Sequence, residues 1–225
     1  EKIDIKAEIA SAFGVPVCIE NDANAGALGE HRHGAGRGTR YMAYFTVSTG
    51  IGGGVILDGK LYRGAHGFAA EGGHMVMHPG PDAPQYAAGK PGVLEALACG
   101  PAIARAGKAA LGKMNRPLPE PFTAKDVFAA VARGEGWAVR VLDDCIGHLG
   151  RGVATALCAY DLERVVIGGG VSLAGETLFT LLREKVRLYL PHFLEDKADV
   201  VAASLGDNSA LLGAVTAASD QLGKR

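Results

Sequence analysis

Tyr41-Met42-Ala43-Tyr44-Phe45-Thr46-Val47-Ser48-Thr49-Gly50-Ile51-Gly52-Gly53-Gly54-Val55-Ile56-Leu57 reads as two strands joined by a glycine-rich turn. Aromatic and β-branched residues fill 41–47, the β pattern resumes at 54–57, and the six residues 48–53 lie between them. Asp58-Gly59 before Lys60-Leu61-Tyr62 is a two-residue hairpin signal, which predicts a third strand.

Beyond this sheet nucleus the periodicity turns helical. Helices are predicted over 94–110, then from a Thr123-x-x-Asp126 capping box through 127–132, then over 137–159, with Pro117, Pro119 and Pro121 in the linker. Strand 164–167 enters Gly168-Gly169-Gly170 and is followed by helix 177–190, strand 199–203 and helix 209–222. Upstream, Ile3, Ile5, Ile9 and Phe13 mark a short helical stretch ending at Gly14. Residues 15–19 read as a short buried strand, and a helix over 21–30 opens with Asn and Asp, both good N-caps. Alternating strands and helices make the class α/β.

Composition narrows the partners. With 23 basic and 24 acidic residues and a formal net charge of -1, no global field draws the chain to nucleic acid or to an anionic membrane. No apolar run approaches a membrane span. Cys18, Cys99, Cys145 and Cys158 follow neither a C-x-x-C nor a disulfide-framework spacing, so they are expected to be buried thiols of a reducing, cytoplasmic protein.

Four clusters carry possible chemistry. In Glu20-Asn21-Asp22-Ala23-Asn24-Ala25, Asp22 stands at the mouth of a helix where a carboxylate can take a hydroxyl proton and Asn21 can hold the acceptor; plain helix capping reads the same residues. In Ser48-Thr49-Gly50-Ile51-Gly52-Gly53-Gly54, amides without Cβ shielding and the Thr49 hydroxyl suit a phosphate, and a ligand-free tight turn reads it equally. In the stretch from Gly64 to His74, Glu71 and His74 sit three residues apart among small residues, as a polyhydroxyl ligand requires; a surface acid and a hydrogen-bonded imidazole is the bland alternative. His74 and His78 share a zinc-like spacing, but the residues between them lack the glutamate of H-E-x-x-H. Gly168-Gly169-Gly170, a turn between strand and helix, could receive a flat ring or be purely structural.

In this order and spacing, Glu20 to Ala25, Thr49 to Gly54, the Glu71-x-Gly73-His74 stretch and Gly168 to Gly170 resemble the ROK (repressor, open reading frame, kinase) family. The resemblance implies an actin-like, ribonuclease-H-like fold, mainly its C-terminal lobe. It implies transfer of the γ-phosphoryl of ATP, with Mg²⁺, to a hexose or amino sugar hydroxyl. It puts Asp22 on the catalytic base and Asn21, Glu71, His74 and Glu95 on sugar hydroxyls. Thr49 and Gly50 fall on the phosphates, Gly168, Gly169 and Gly170 on the adenosine side. A homodimer is also implied.

Two departures from the family pattern matter. Where the family carries C-x-C-G-x-x-G-C-x-E, this chain has Tyr86-Ala87-Ala88-Gly89-Lys90-Pro91-Gly92-Val93-Leu94-Glu95, so no structural zinc is expected; Glu95 is retained, and packing from Tyr86 and Val93 is expected to replace the metal. The family's N-terminal Asp-x-Gly-Gly-Thr hairpin does not occur either. The expectation is a sugar-binding and catalytic lobe over 1–206 and a helix over 207–225 facing an absent N-terminal lobe, with little or no kinase activity from this chain alone. Two rival readings use the same residues: the effector domain of a sugar-responsive repressor, and a sugar-binding pseudokinase.

Overall fold

The computed structural model describes residues 3–85 and 90–223. Five strands form one mixed sheet in the order β3-β2-β1-β4-β5, with β1 (Met42–Val47), β2 (Ile51–Leu57), β3 (Lys60–Tyr62), β4 (Arg164–Gly168) and β5 (Asp199–Ala202). The β1–β2 and β2–β3 pairs are antiparallel, and β4 and β5 continue parallel to β1.

Period-two alternation sorts the strand residues onto two buried faces. Met42, Tyr44, Ile56 and Val166 meet α2 (Asp22–His33) and α9 (Ser209–Leu222) through Ala27, Leu28 and Ala217. Ala43, Phe45, Val47, Val55, Val165 and Ile167 face the larger core. That core is built by α3 (Leu94–Ala98), α4 (Gly100–Lys113), α5 (Ala124–Ala132), α6 (Gly136–Tyr160) and α7 (Glu176–Tyr189). The result is three layers, helix on sheet on helix.

Within the smaller layer α2 and α9 touch backbone to backbone: a Cβ on Gly213 would lie 1.6 Å from the Ala25 carbonyl oxygen. Glu30, at 0% exposure, joins the same junction. Its carboxylate accepts from the Ala35, Ser204 and Leu205 amides at 2.8, 3.2 and 3.0 Å and from the Ser209 hydroxyl at 2.8 Å.

The structure corrects several expectations. Residues 15–19 form no strand: Val15 and Ile19 are exposed and no neighbouring strand pairs with this backbone among the described residues. Strand propensity without a partner is not a strand. The preceding α1 (Ile5–Phe13), capped by Asp4 and closed by left-handed Gly14, is helical as read but buries no residue.

The helix read over 94–110 is two helices, because Cys99 is extended (φ -72°, ψ 167°) and Pro101 starts a new first turn. Cys99 and Cys145 are buried, whereas Cys18 and Cys158 are exposed, the latter on the outward face of α6. The capping box is present, with the Asp126 carboxylate accepting from the Thr123 amide and hydroxyl. A last short helix, α8 (His192–Glu195), leads into β5.

Candidate functional site

The glycine run between β1 and β2 divides differently from its sequence reading. Gly52, Gly53 and Gly54 lie inside β2, paired with Thr46, Phe45 and Tyr44, so the turn itself is only Ser48-Thr49-Gly50. It is closed by the Ser48 amide donating to the Gly50 carbonyl at 2.8 Å. The strand glycines serve close approach instead.

Three segments converge on this end of β2. From α2, the Ala23 methyl lies 3.1 Å from where a Cβ on Gly52 would stand. From the 70–74 turn, a Cβ on Gly73 would meet the Ile51 carbonyl oxygen at 2.1 Å. From α3, Glu95 Oε2 accepts from the Ile51 amide at 2.5 Å and lies against Gly50. Asp22, Glu71, His74 and Glu95 come from sequence positions up to 73 residues apart, yet each belongs to, or directly adjoins, one of these contacts.

Local geometry fixes their states. Asn21 Oδ1 accepts from the Ala23 and Asn24 amides at 2.9 and 3.0 Å, so the capping role exists. That bond leaves the amide NH₂ of Asn21 to donate elsewhere. Asp22 is exposed beside it and, among the described residues, takes only the Ala23 amide, at 2.8 Å. Glu20 braces the junction by accepting from Arg63 Nε and Nη2 at 2.8 and 2.6 Å and from Asn24 Nδ2 at 3.1 Å. Arg63 thereby ties the segment of Asp22 to the loop that runs on to Glu71.

Glu71 and His74 are exposed around the short 3₁₀ turn Gly72–His74. Val93 is buried and pairs with Val76 in an isolated bridge, the packing expected of it; Tyr86 lies outside the described residues. Among the described residues no group of three His, Cys, Asp or Glu side chains is placed to hold a metal ion.

On the other side of the Ser48–Gly50 turn opens a cavity of about 950 Å³. Ser48, Thr49, Gly100, Pro101, Gly170 and Val171 form one part of its lining, Phe122 and Phe128 another, and Arg105, Lys108 and Lys125 bring cationic groups to it. Its size and mixed lining suit a flat ring carrying an anionic tail.

Of the three late glycines only Gly170 lines this cavity. Gly168 packs on the Tyr44 ring. Gly169, at φ +83°, lets the chain pass so close to Val47 that a Cβ would lie 2.5 Å from its carbonyl oxygen. The walls from α4 and α5 were not read from the sequence; the only local sign was Gly100-Pro101 interrupting a helical pattern.

Known proteins resemble this chain in sequence and in fold. The glucokinase of Thermotoga maritima is 39% identical over 223 residues, which span 96% of this chain and 70% of that protein. The crystal structure of a ROK hexokinase from Thermus thermophilus superposes with a TM-score of 0.86 at 38% identity, covering 98% of this chain and 71% of the other. A ROK family glucokinase from Streptomyces griseus, solved in complex with glucose and AMPPNP, gives 0.80 at 33% identity over 94% of this chain and 71% of its own. The α/β, actin-like fold of those kinases is the fold of this chain. The model described as "ROK family" matches residues 1–221. With its motifs gathered at one end of β2 and a family match across almost its whole length, this chain belongs to the ROK family.

Proposed function

We propose that the chain carries the sugar-binding and catalytic-base portion of an ATP-dependent kinase for a hexose or amino sugar. The observation that supports this best is the convergence of α2, the 70–74 turn and Glu95 on the β2 end beside a cavity of nucleotide size. Residues 1–206 form the sugar-binding lobe in this reading, and the segment 207–225, whose helix is α9, faces a further lobe. A homodimer belongs to it through the family resemblance, and a cytoplasmic setting through the cysteine spacing.

Each residue has a role that its surroundings permit. A sugar hydroxyl bound between Glu71, His74 and Glu95 presents a neighbouring hydroxyl to Asp22, which takes its proton as the oxygen attacks phosphorus. The Asn21 NH₂ steadies the acceptor oxygen. The Thr49 and Gly50 amides and the Thr49 hydroxyl face the phosphoryl oxygens, where negative charge gathers. ATP is the phosphoryl donor, its ring side seated towards Gly170, and Mg²⁺ supplies neutralising charge when bound. Since no Asp-x-Gly-Gly-Thr hairpin occurs in the 225 residues, slow turnover by this chain alone is part of the proposal.

The test is a panel of glucose, fructose, mannose and their N-acetylamino forms, followed by calorimetry and by mass spectrometry for sugar phosphate after long incubation with ATP. Binding of one hexose with traces of its phosphate is the expected result. Binding without any phosphate favours a sugar sensor of the repressor or pseudokinase kind. Binding of no sugar would falsify the proposal.

A further inference from the structure

Glu95 does more in this structure than offer a carboxylate to a ligand. It is the second residue of α3 and half-buried, and its Oε2 is committed to the Ile51 amide at 2.5 Å. Among the described residues no donor is bonded to Oε1. Just past the far end of the same helix, the Gly100 amide, which opens α4, donates to the Ser48 carbonyl at 2.8 Å. At its near end the Leu94 amide donates to the Met75 carbonyl at 2.8 Å, attaching α3 to the segment that carries His74. A Cβ on Gly50 would stand 2.5 Å from Glu95 Oε2, so the turn is shaped around this carboxylate.

We propose that Glu95 is a positioning residue that couples sugar binding to the order of the Ser48-Thr49-Gly50 turn, and through it to nucleotide affinity. This rests on the kinase reading above and adds a linkage between its two sites. A hydroxyl donating to Oε1 fixes the carboxylate rotamer, which holds Oε2 on the Ile51 amide and keeps the Thr49 and Gly50 amides aimed at the phosphates. With no sugar present the carboxylate turns more freely, and the turn loses its acceptor part of the time. Because linkage is reciprocal, nucleotide must raise sugar affinity by the factor by which sugar raises nucleotide affinity.

The experiment is a calorimetric cycle with glucose, N-acetylmannosamine and AMPPNP, each titrated with and without saturating partner, on the unmodified protein, Glu95→Ala and Glu95→Gln. In parallel, the ¹⁵N–¹H resonance of Ile51 is followed during the sugar titration. The unmodified protein is expected to show coupling of about fivefold or more and a moving Ile51 amide. Glu95→Ala is expected to bring the coupling below about twofold. Glu95→Gln, which keeps an acceptor oxygen for Ile51, is expected to weaken sugar binding and to retain more of the coupling than Glu95→Ala does.

Independent binding of sugar and AMPPNP by the unmodified protein overturns the coupling alone. So does coupling that persists undiminished in Glu95→Ala. If neither sugar binds, the cycle is repeated with the other sugars of the panel; binding of none of them by the unmodified protein brings down the kinase reading and the coupling with it.

Discussion

Gly73 and Ile51 are in backbone contact: a Cβ on Gly73 would stand 2.1 Å from the Ile51 carbonyl oxygen, inside any allowed separation. This contact sets how near the Glu71–His74 turn lies to β2, and hence to Thr49, Gly50 and Asp22.

Gly73→Ala must therefore push the turn away from the strand. Sugar affinity is expected to fall at least tenfold, and overpacking to cost roughly 1–3 kcal/mol of stability. Gly112→Ala is the control, since α4 leaves open space there; it is expected to be neutral or to stabilise by about 0.5–1 kcal/mol. Sugar titration and thermal unfolding of both variants check the pair.

Asp22→Asn keeps the size of the side chain and removes the base. Phosphoryl transfer is expected to drop roughly 10²–10⁴-fold while the sugar dissociation constant changes little. The readout is a rate of sugar phosphate formation set beside a binding isotherm. A variant that transfers at the unmodified rate removes Asp22 from the reaction.

Glu30 is an acid without contact to solvent, satisfied by three amides and by the Ser204 and Ser209 hydroxyls at the α2–α9 junction. Glu30→Ala strands those donors and is expected to cost roughly 3 kcal/mol, with Glu30→Gln losing less because one acceptor oxygen remains. Urea unfolding with an unchanged slope and a lowered midpoint is the signature.

Glu135 gives a pH signature remote from the site. The Trp137 indole N–H, then Arg133 and Arg116, hold its carboxylate down at about 2, against an ordinary 4.5. A depressed pKa in the folded state contributes stability that is complete above 4.5 and is lost as pH falls from there towards 2. The stability gap between the unmodified protein and Glu135→Gln is thus expected to close across that window in acid unfolding curves. A gap that stays constant refutes the assignment.

Chelation is expected to leave the melting temperature unchanged. The positions of the family's three thiolates are Tyr86, Ala88 and Val93 in this sequence, and none of these side chains binds zinc as a thiolate does. One equivalent of zinc in the purified protein, with unfolding on its removal, is the contrary result.

The sequence by itself determined what neighbours within a few residues can encode. Aromatic and β-branched residues over 41–47 gave the strand β1, Asn21 and Asp22 gave a helix start, Thr123 and Asp126 gave a capping box, and the order of four motifs gave the family. These features rest on backbone geometry that repeats every two or 3.6 residues, so a short window reveals them. Tertiary structure alone decided the rest. Glu95 reaches Ile51 across 44 positions and Glu30 reaches Ser209 across 179, and no local pattern specifies such pairs. Which glycines form the turn and which lie within β2 was settled by pairing with β1; residues 15–19, equally apolar, found no partner and stayed without a strand. The cavity walls of α4 and α5 likewise exist only because the chain folds back over the turn, since burial is a property of the assembled layers rather than of any stretch within them.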